Sequence, residues 1–209
     1  MKKILMFLFF IVLSFNGLVY AQEDTAGRTL DAGYFDKEEI SESLKNISEF
    51  SDDSITSMFI TEKELRTGFS LLPAQRIDDI LKTMTDVVVI IATDNADTQA
   101  QALVIFMRLA DKKNAMDFVE AEKEVMALKD VEYKDYILSF DYKTLPLLAG
   151  GNAFISRKEV KTGEQETQNV TVLVTAKDNL VLELNLLKKQ FANEELVKLN
   201  DAIWNALGK

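Results

Sequence analysis

The residues with the chemistry to bind a metal ion are concentrated in the polar segment 93–98. Asp94, Asn95 and Asp97 bring three oxygen-bearing side chains into one short stretch, and Ca²⁺ prefers carboxylate and amide oxygens. The spacing differs from that of an EF-hand loop, because Ala96 stands at the third position and the glycine and closing glutamate are missing. Asp and Asn also form ordinary turns, since their side chains accept hydrogen bonds from the local backbone. We therefore predict a turn here, with no metal and no cofactor.

A pair of glycines and a basic cluster form a second candidate site, for an anionic ligand. Gly150 and Gly151 carry no Cβ and would let a backbone approach a ligand closely. Arg157, Lys158 and Lys161 follow on a predicted strand. The chain has neither a GxGxxG nor a Walker-type phosphate loop. Because residues alternate sides along a strand, Lys158 would face away from the other two, which favours a half-exposed sheet edge over an anion site.

Side chains for acid–base or nucleophilic catalysis are scarce. The chain contains no histidine and no cysteine, which excludes a Ser-His-Asp triad, a thiol nucleophile and the usual zinc ligands. The Ser-x-x-Lys motif is also missing. Asp78 and Asp79 are adjacent on a predicted helix and point about 100° apart, so they do not form a catalytic pair. We therefore assign no catalytic residue, and ligand-binding residues stay unassigned.

An aromatic group accompanies the middle of the predicted sheet. Its members are Tyr133, Tyr136, Phe140, Tyr142 and Phe154. Such residues pack in cores and at sheet edges, and the same side chains could line an apolar pocket between sheet and helix. The sequence leaves both interpretations open.

The first 21 residues have the features of a secretion signal. Lys2 and Lys3 precede the almost unbroken apolar run 4–15, and Val19-Tyr20-Ala21 places small residues at a peptidase site. We predict cleavage after Ala21, with an uncleaved N-terminal anchor as the alternative. The Met-Lys-Lys opening is typical of bacteria, and no second stretch approaches the ~20 apolar residues of a membrane span. The sequence therefore predicts a periplasmic or secreted protein with no stable membrane span once the leader is removed.

The charge balance bears on partners. Without the leader, 22 basic and 34 acidic residues remain, a net charge of −12. Such an acidic surface repels phosphate backbones and anionic lipid head groups, so nucleic acid is excluded as a partner. The absence of cysteine also means that the hydrophobic core, rather than disulfides, must stabilise the fold.

The N-terminal part of the mature chain reads as helical. Residues 22–35 lack periodicity and are interpreted as a flexible lead-in. Asp36 resembles a helix N-cap, and apolar residues at helical spacing predict helices over about 37–49 and 73–84. Residues 51–69 are ambiguous between a short strand and a helix.

From residue 86 the pattern changes to strands. The β-branched run 87–91 and the apolar run 103–107 predict a hairpin buried on both faces, and a helix follows from Asn114. Four further strands are predicted at 136–142, 153–161, 170–175 and 180–186, the last with one polar face. A closing helix capped by Asn193 carries Trp204, which we expect to dock the helix on the sheet.

This order predicts an α+β fold in which an antiparallel sheet of about six strands is covered by helices. The sequence of two strands, a helix, four strands and a final helix over 86–207 is similar to that of Mog1/PsbP-type sandwiches, which include exported bacterial members. The resemblance implies an α/β sandwich and no site residues. The predicted organisation is a signal peptide (1–21), the lead-in (22–35) and one domain (36–209), with a helical part (36–85) and a part holding the sheet and closing helix (86–209).

Export and the lack of catalytic motifs favour a non-enzymatic binding or accessory domain of the cell envelope, whose partner is a protein or a small molecule. Two alternatives remain open. One is a carboxylate- or Ca/Mg-dependent enzyme. The other is an envelope assembly or interaction protein in which residues 36–85 pack on a partner.

Overall fold

The fold is known from a computed structural model. It describes residues 33–51, 53–58, 62, 65–66, 72–96, 100–126, 131–133, 136–144, 153–162, 168–187 and 191–207. The predicted leader and most of the lead-in lie outside these ranges. No helix in the described ranges is long and apolar enough to cross a bilayer.

Four helices and eight strands occupy the described residues. The helices are α1 (Lys37–Lys45), α2 (Ala74–Thr83), α3 (Lys112–Met126) and α4 (Asn193–Ala206). The strands are β1 (Asp53–Met58), β2 (Met84–Asp94), β3 (Ala100–Leu109), β4 (Val131–Tyr133), β5 (Tyr136–Thr144), β6 (Ala153–Thr162), β7 (Gln168–Lys177) and β8 (Leu180–Leu186).

The strands form one sheet in the order β1-β2-β3-β8-β7-β6-β5-β4, and every neighbouring pair is antiparallel. The α+β class with one antiparallel sheet is therefore confirmed. The expected strand number of about six is too low, because β1 and the three-residue β4 extend the sheet at its two ends. Serine and threonine in β1 and the shortness of β4 weaken the period-2 signal in both strands.

One face of the sheet is covered by α1 and α4, and we call it the α1/α4 face. Alternation along the strands points every second side chain to this side. The sheet contributes Val88, Ile90, Val104, Phe106, Leu173, Leu182 and Leu184, and the helices contribute Ile40, Leu44, Leu196, Leu199 and Ile203. Burying each such side chain stabilises the fold by about 1.5–3 kcal/mol, so this layer holds both helices on the sheet.

The opposite face, the α2/α3 face, carries a second apolar layer. Its members include Val87, Val89, Leu103, Ile105, Val172, Val174 and Val181 from the sheet, with Ile77, Ile80, Leu81, Phe118 and Val119 from the helices. The prediction that β2 and β3 are buried on both sides is confirmed.

The prediction of one polar face on β8 is confirmed, because Glu183 and Asn185 alternate with leucines that pack on the α1/α4 face. Val181 and Asn185 are buried on the α2/α3 side. The amide Nδ2 of Asn185 donates to Oε1 of Glu183 at 2.8 Å. The polar face therefore lies on the α2/α3 side, where the buried amide of Asn185 is paired with the partly exposed carboxylate of Glu183.

Helix starts depend on side chains that accept backbone N–H groups. Oδ1 of Asp36 accepts from the N–H groups of Glu38 and Glu39 at 3.0 Å, which confirms it as the cap of α1. The cap before α3 is Asp111, which accepts from the N–H of Asn114 at 2.8 Å, so the predicted start at Asn114 is one turn late.

The closing helix also starts differently from the prediction. Ala192 precedes α4, and Asn193 is already its first residue. The carboxylate of Glu195 accepts from the N–H of Ala192 at 2.7 Å. The side chain of Glu195, in the first turn of α4, thus binds the backbone of the residue that precedes the helix. Asn193 lies inside the helix and is not its N-cap.

Candidate functional site

A pocket of about 140 Å³ opens on the α1/α4 face where the start of α1 meets the end of α4. Its lining residues are Tyr34, Phe35, Asp36, Glu39, Ile40, Leu180, Ala206 and Leu207. The floor is apolar, and the two carboxylates stand on the α1 side. The pocket therefore combines a hydrophobic interior with one acidic wall.

A series of aromatic rings in edge-on or tilted contact connects the pocket to the core. Tyr34 meets Phe35 edge-on with ring centroids 5.2 Å apart, and Phe35 lies 6.0 Å from Phe106. Phe106 in turn meets Trp204 edge-on at 6.4 Å. Among the residues whose side chains the structure describes, Tyr34 is the one large hydrophobic residue that is exposed, at 37%. The series of rings thus joins the pocket wall to the buried core.

An ion pair holds Tyr34 at the pocket mouth. Asp86 and Arg108 are opposite each other in the β2–β3 register, and Nε of Arg108 lies 2.9 Å from Oδ2 of Asp86. The backbone N–H of Tyr34 donates to Oδ1 of Asp86 at 3.3 Å. The Arg108 guanidinium lies 4.4 Å from the Tyr34 ring centroid, a cation–π distance. Thr85 Oγ1 accepts from Nε of Arg108 at 3.0 Å and fixes the guanidinium.

The charged groups at the rim are unequal in number. Asp36 and Glu39 line the pocket, and both are exposed. Lys37 lies in the same turn, and partial burial lowers the pKa of its ammonium group. The Arg108 charge is compensated by Asp86. The rim is therefore acidic as a whole.

The other side of the pocket depends on how α4 sits on the sheet. Nε1 of Trp204 donates to Oγ1 of Thr175 at 3.0 Å, and that hydroxyl donates to Oδ1 of Asn200 at 2.9 Å. All three residues are buried. The predicted docking role of Trp204 is thus confirmed, and the bonds set the position of Ala206 and Leu207 at the pocket.

The predicted turn after β2 is confirmed over its described part. Oδ1 of Asp94 accepts from the N–H of Ala96 at 2.7 Å, the bond of an ordinary Asx turn. Asp97 lies outside the described residues. Among the residues that the structure describes, no group of three or more acidic side chains could hold a metal ion.

The basic cluster was interpreted as part of a sheet edge, and this is wrong. Arg157, Lys158 and Lys161 lie on β6, which pairs with β5 on one side and β7 on the other. Gly150 and Gly151 lie outside the described residues, and the side chains of the three basic residues are likewise outside the description.

The two adjacent aspartates of α2 have separate partners. Asp78 pairs with Arg66, whereas Asp79 accepts from Nε2 of Gln75 at 3.1 Å. The structure brings neither into the pocket. The backbone positions of the aromatic group around β5 and β6 are described, but its side chains are not, so the two interpretations of that group stay predictions.

The sequence interpretation missed the residues that build the pocket. Gly33, Tyr34 and Phe35 fall in the segment read as a flexible lead-in, yet Phe35 is buried and Tyr34 is held by Asp86 and Arg108. One signal was present: opposite charges stand at the outer ends of the two predicted hairpin strands, where cross-strand pairs form.

Comparison with known proteins bears on the fold alone. No protein-family model matches the chain, and no curated protein matches it significantly. Among solved structures, the chain is similar to the extracellular domain of PknH from Mycobacterium tuberculosis, at 13% identity and a TM-score of 0.50. The match covers 88% of this chain and 100% of that domain. The resemblance to Mog1/PsbP-type sandwiches is not tested by it and stays a prediction.

Proposed function

We propose that residues 36–209, together with Tyr34 and Phe35 from the segment predicted as a lead-in, fold as one exported, non-enzymatic binding or accessory domain of the cell envelope. This domain recognises its partner through the pocket between α1 and α4. The observation that carries this proposal is the pocket itself. It is open to solvent, apolar at its floor and held in shape from both sides by buried bonds. Binding sites are typically preformed concave surfaces with a few polar groups at the margin.

Two further features support an envelope location. The leader-like residues 1–21 predict export. The similar solved structure, the PknH domain, is an extracellular domain. We propose a location outside the cytoplasm for this chain as well. Intact-mass measurement of the protein recovered from the periplasm or medium tests export directly. The expected species begins at Gln22; a cytosolic species that retains Met1 would contradict the location.

The pocket is tested with small apolar probes. Phenol and cyclohexanol, titrated into the isotope-labelled protein, are expected to shift the backbone amide signals of Ile40, Leu180 and Leu207. Ala206→Phe should abolish these shifts, because the ring fills the cavity. Asn205→Phe is the matched control, since residue 205 is exposed and not part of the lining. Shifts elsewhere that Ala206→Phe leaves intact would overturn the proposal.

Catalysis is tested separately. The purified protein is expected to show no turnover on a panel of ester, amide, phosphoester and glycoside substrates with Ca²⁺ or Mg²⁺ present. Turnover that Ala206→Phe abolishes and Asn205→Phe retains would make the pocket an active site and would refute the non-enzymatic assignment.

A further inference from the structure

The size of the pocket limits what it can hold. A cavity of about 150 Å³ is known to hold a benzene ring, and this pocket measures about 140 Å³. Organic ligands of drug size need about 300–1,000 Å³. One leucine-sized or phenyl-sized side chain therefore fits, and most of a larger molecule would lie outside.

The surface around the pocket is acidic. Residues 36–45 and 192–207, which form α1, α4 and their caps, carry seven carboxylates and three ammonium groups. Two of the carboxylates, Asp36 and Glu39, belong to the pocket lining. A partner that approaches this face meets a negative field, which favours a positively charged surface.

The end of α4 adds to this field at the pocket itself. Ala206 and Leu207 line the pocket at the C-terminal end of the helix, where backbone carbonyl groups give a partial negative charge. The last turn of α4 contains no basic residue to compensate it. A cation from outside would therefore be stabilised between these carbonyls and Glu39.

From these features we infer that the pocket takes one apolar side chain of a basic peptide segment of a partner protein, with a neighbouring Lys or Arg held between Glu39 and the end of α4. The inference rests on the proposed function and names the chemistry of the occupant. A peptide is favoured because it supplies an apolar group of the right size with cations attached close by.

Three capped pentapeptides test the inference. The first has one leucine between two pairs of lysines, the second has glycine in place of leucine, and the third has glutamates in place of the lysines. At low ionic strength the first should bind at least about tenfold more tightly than either of the others, because it alone buries a leucine and matches the charge. Amide shifts at Ile40, Leu180 and Leu207 locate the binding.

Charge variants distinguish the effect of the two rim carboxylates on peptide affinity from the effect of the protein's net charge. Asp36→Asn combined with Glu39→Gln should weaken the leucine–lysine peptide about fivefold at low salt and much less at high salt. Asparagine keeps the α1 cap, so the fold is retained. The control, Asp79→Asn combined with Glu124→Gln, removes the same charge from exposed positions on the helices of the opposite face and should leave the affinity unchanged.

The outcomes distinguish this inference from the proposed function. Equal affinity for the lysine and glutamate peptides, or equal weakening by both pairs of charge variants, would overturn the inference. It would also be overturned if phenol bound in the pocket as tightly as the leucine–lysine peptide. The proposed function would survive these results as long as the phenol shifts map to the pocket. Absence of both phenol and peptide shifts there would refute both.

Discussion

Nε1 of Trp204 donates to the hydroxyl of Thr175 across the boundary between α4 and β7, at 3.0 Å. The same hydroxyl donates to Asn200 at 2.9 Å. One threonine oxygen thus serves two polar groups of α4 in a buried layer, where groups without partners are costly. The position of α4, and with it one wall of the pocket, depends on this oxygen.

Thr175→Val is expected to lower the free energy of unfolding by about 3 kcal/mol, because it leaves both Nε1 of Trp204 and Oδ1 of Asn200 without a partner. Urea unfolding followed by the fluorescence of Trp204, the only tryptophan of the chain, measures the loss. Thr171→Val is the control, on the same strand and equally buried. Equal losses for the two variants would show that the bonds to α4 contribute nothing.

Arg108→Met is expected to cost about 2 kcal/mol, since the buried carboxylate of Asp86 loses its counter-charge while the apolar stem of the side chain is kept. Urea unfolding measures the loss, and a double-mutant cycle with Asp86→Asn isolates the pair energy. Arg66→Met breaks an exposed pair with Asp78 and should cost less than about 1 kcal/mol. A coupling near zero would mean that the Arg108–Asp86 pair does not contribute to stability.

Asp178→Gly is expected to stabilise the protein by about 0.5–1 kcal/mol. Asp178 has φ 51° in the two-residue turn between β7 and β8, a left-handed conformation that glycine adopts without steric cost. The thermal unfolding midpoint should rise. Asp178→Val, with a branched Cβ, should lower it, and a fall for both variants would contradict the strain argument.

Asp36→Ala is expected to cost about 1 kcal/mol, because two N–H groups at the start of α1 lose their acceptor. Asp36→Asn should be nearly neutral, since its amide oxygen accepts the same bonds. Urea unfolding compares the two. A loss of the same size for Asn would assign the effect to the charge at the helix start instead of to capping.

Local sequence signals predicted most elements well. The β-branched run 87–91 and the apolar run 103–107 predicted β2 and β3, and the apolar stripe of Ile77, Ile80 and Leu81 predicted α2. Each of these local patterns consists mainly of residues that the fold buries. Where the prediction missed the residues of the pocket, the deciding contact was distant in the chain. The backbone of Tyr34 is bound by Asp86, which is 52 residues away in the chain. The pattern of residues 22–35 alone cannot predict that bond.

The candidate site was harder to predict than the fold for the same reason. Leu180, Ile40 and Ala206 come from three separate elements, and each reads as an ordinary apolar residue in its own segment. The cavity exists only because the start of α1 and the end of α4 meet over β8, which depends on the packing of both helices and not on a motif.

The order of the strands has a consequence for how the chain acquires its structure. β8 pairs with β3 on one side and β7 on the other, while β3 and β7 do not pair with each other. Because a two-residue turn joins β7 to β8, these strands pair locally, and the β3–β8 pairing is the one that joins β1–β3 to the rest of the sheet. Until it forms, β3 and β8 are open apolar strands that invite pairing with another molecule. Joining them requires contacts between distant parts of the chain, which makes closure slow. The risk of aggregation is therefore highest before β3 and β8 have paired.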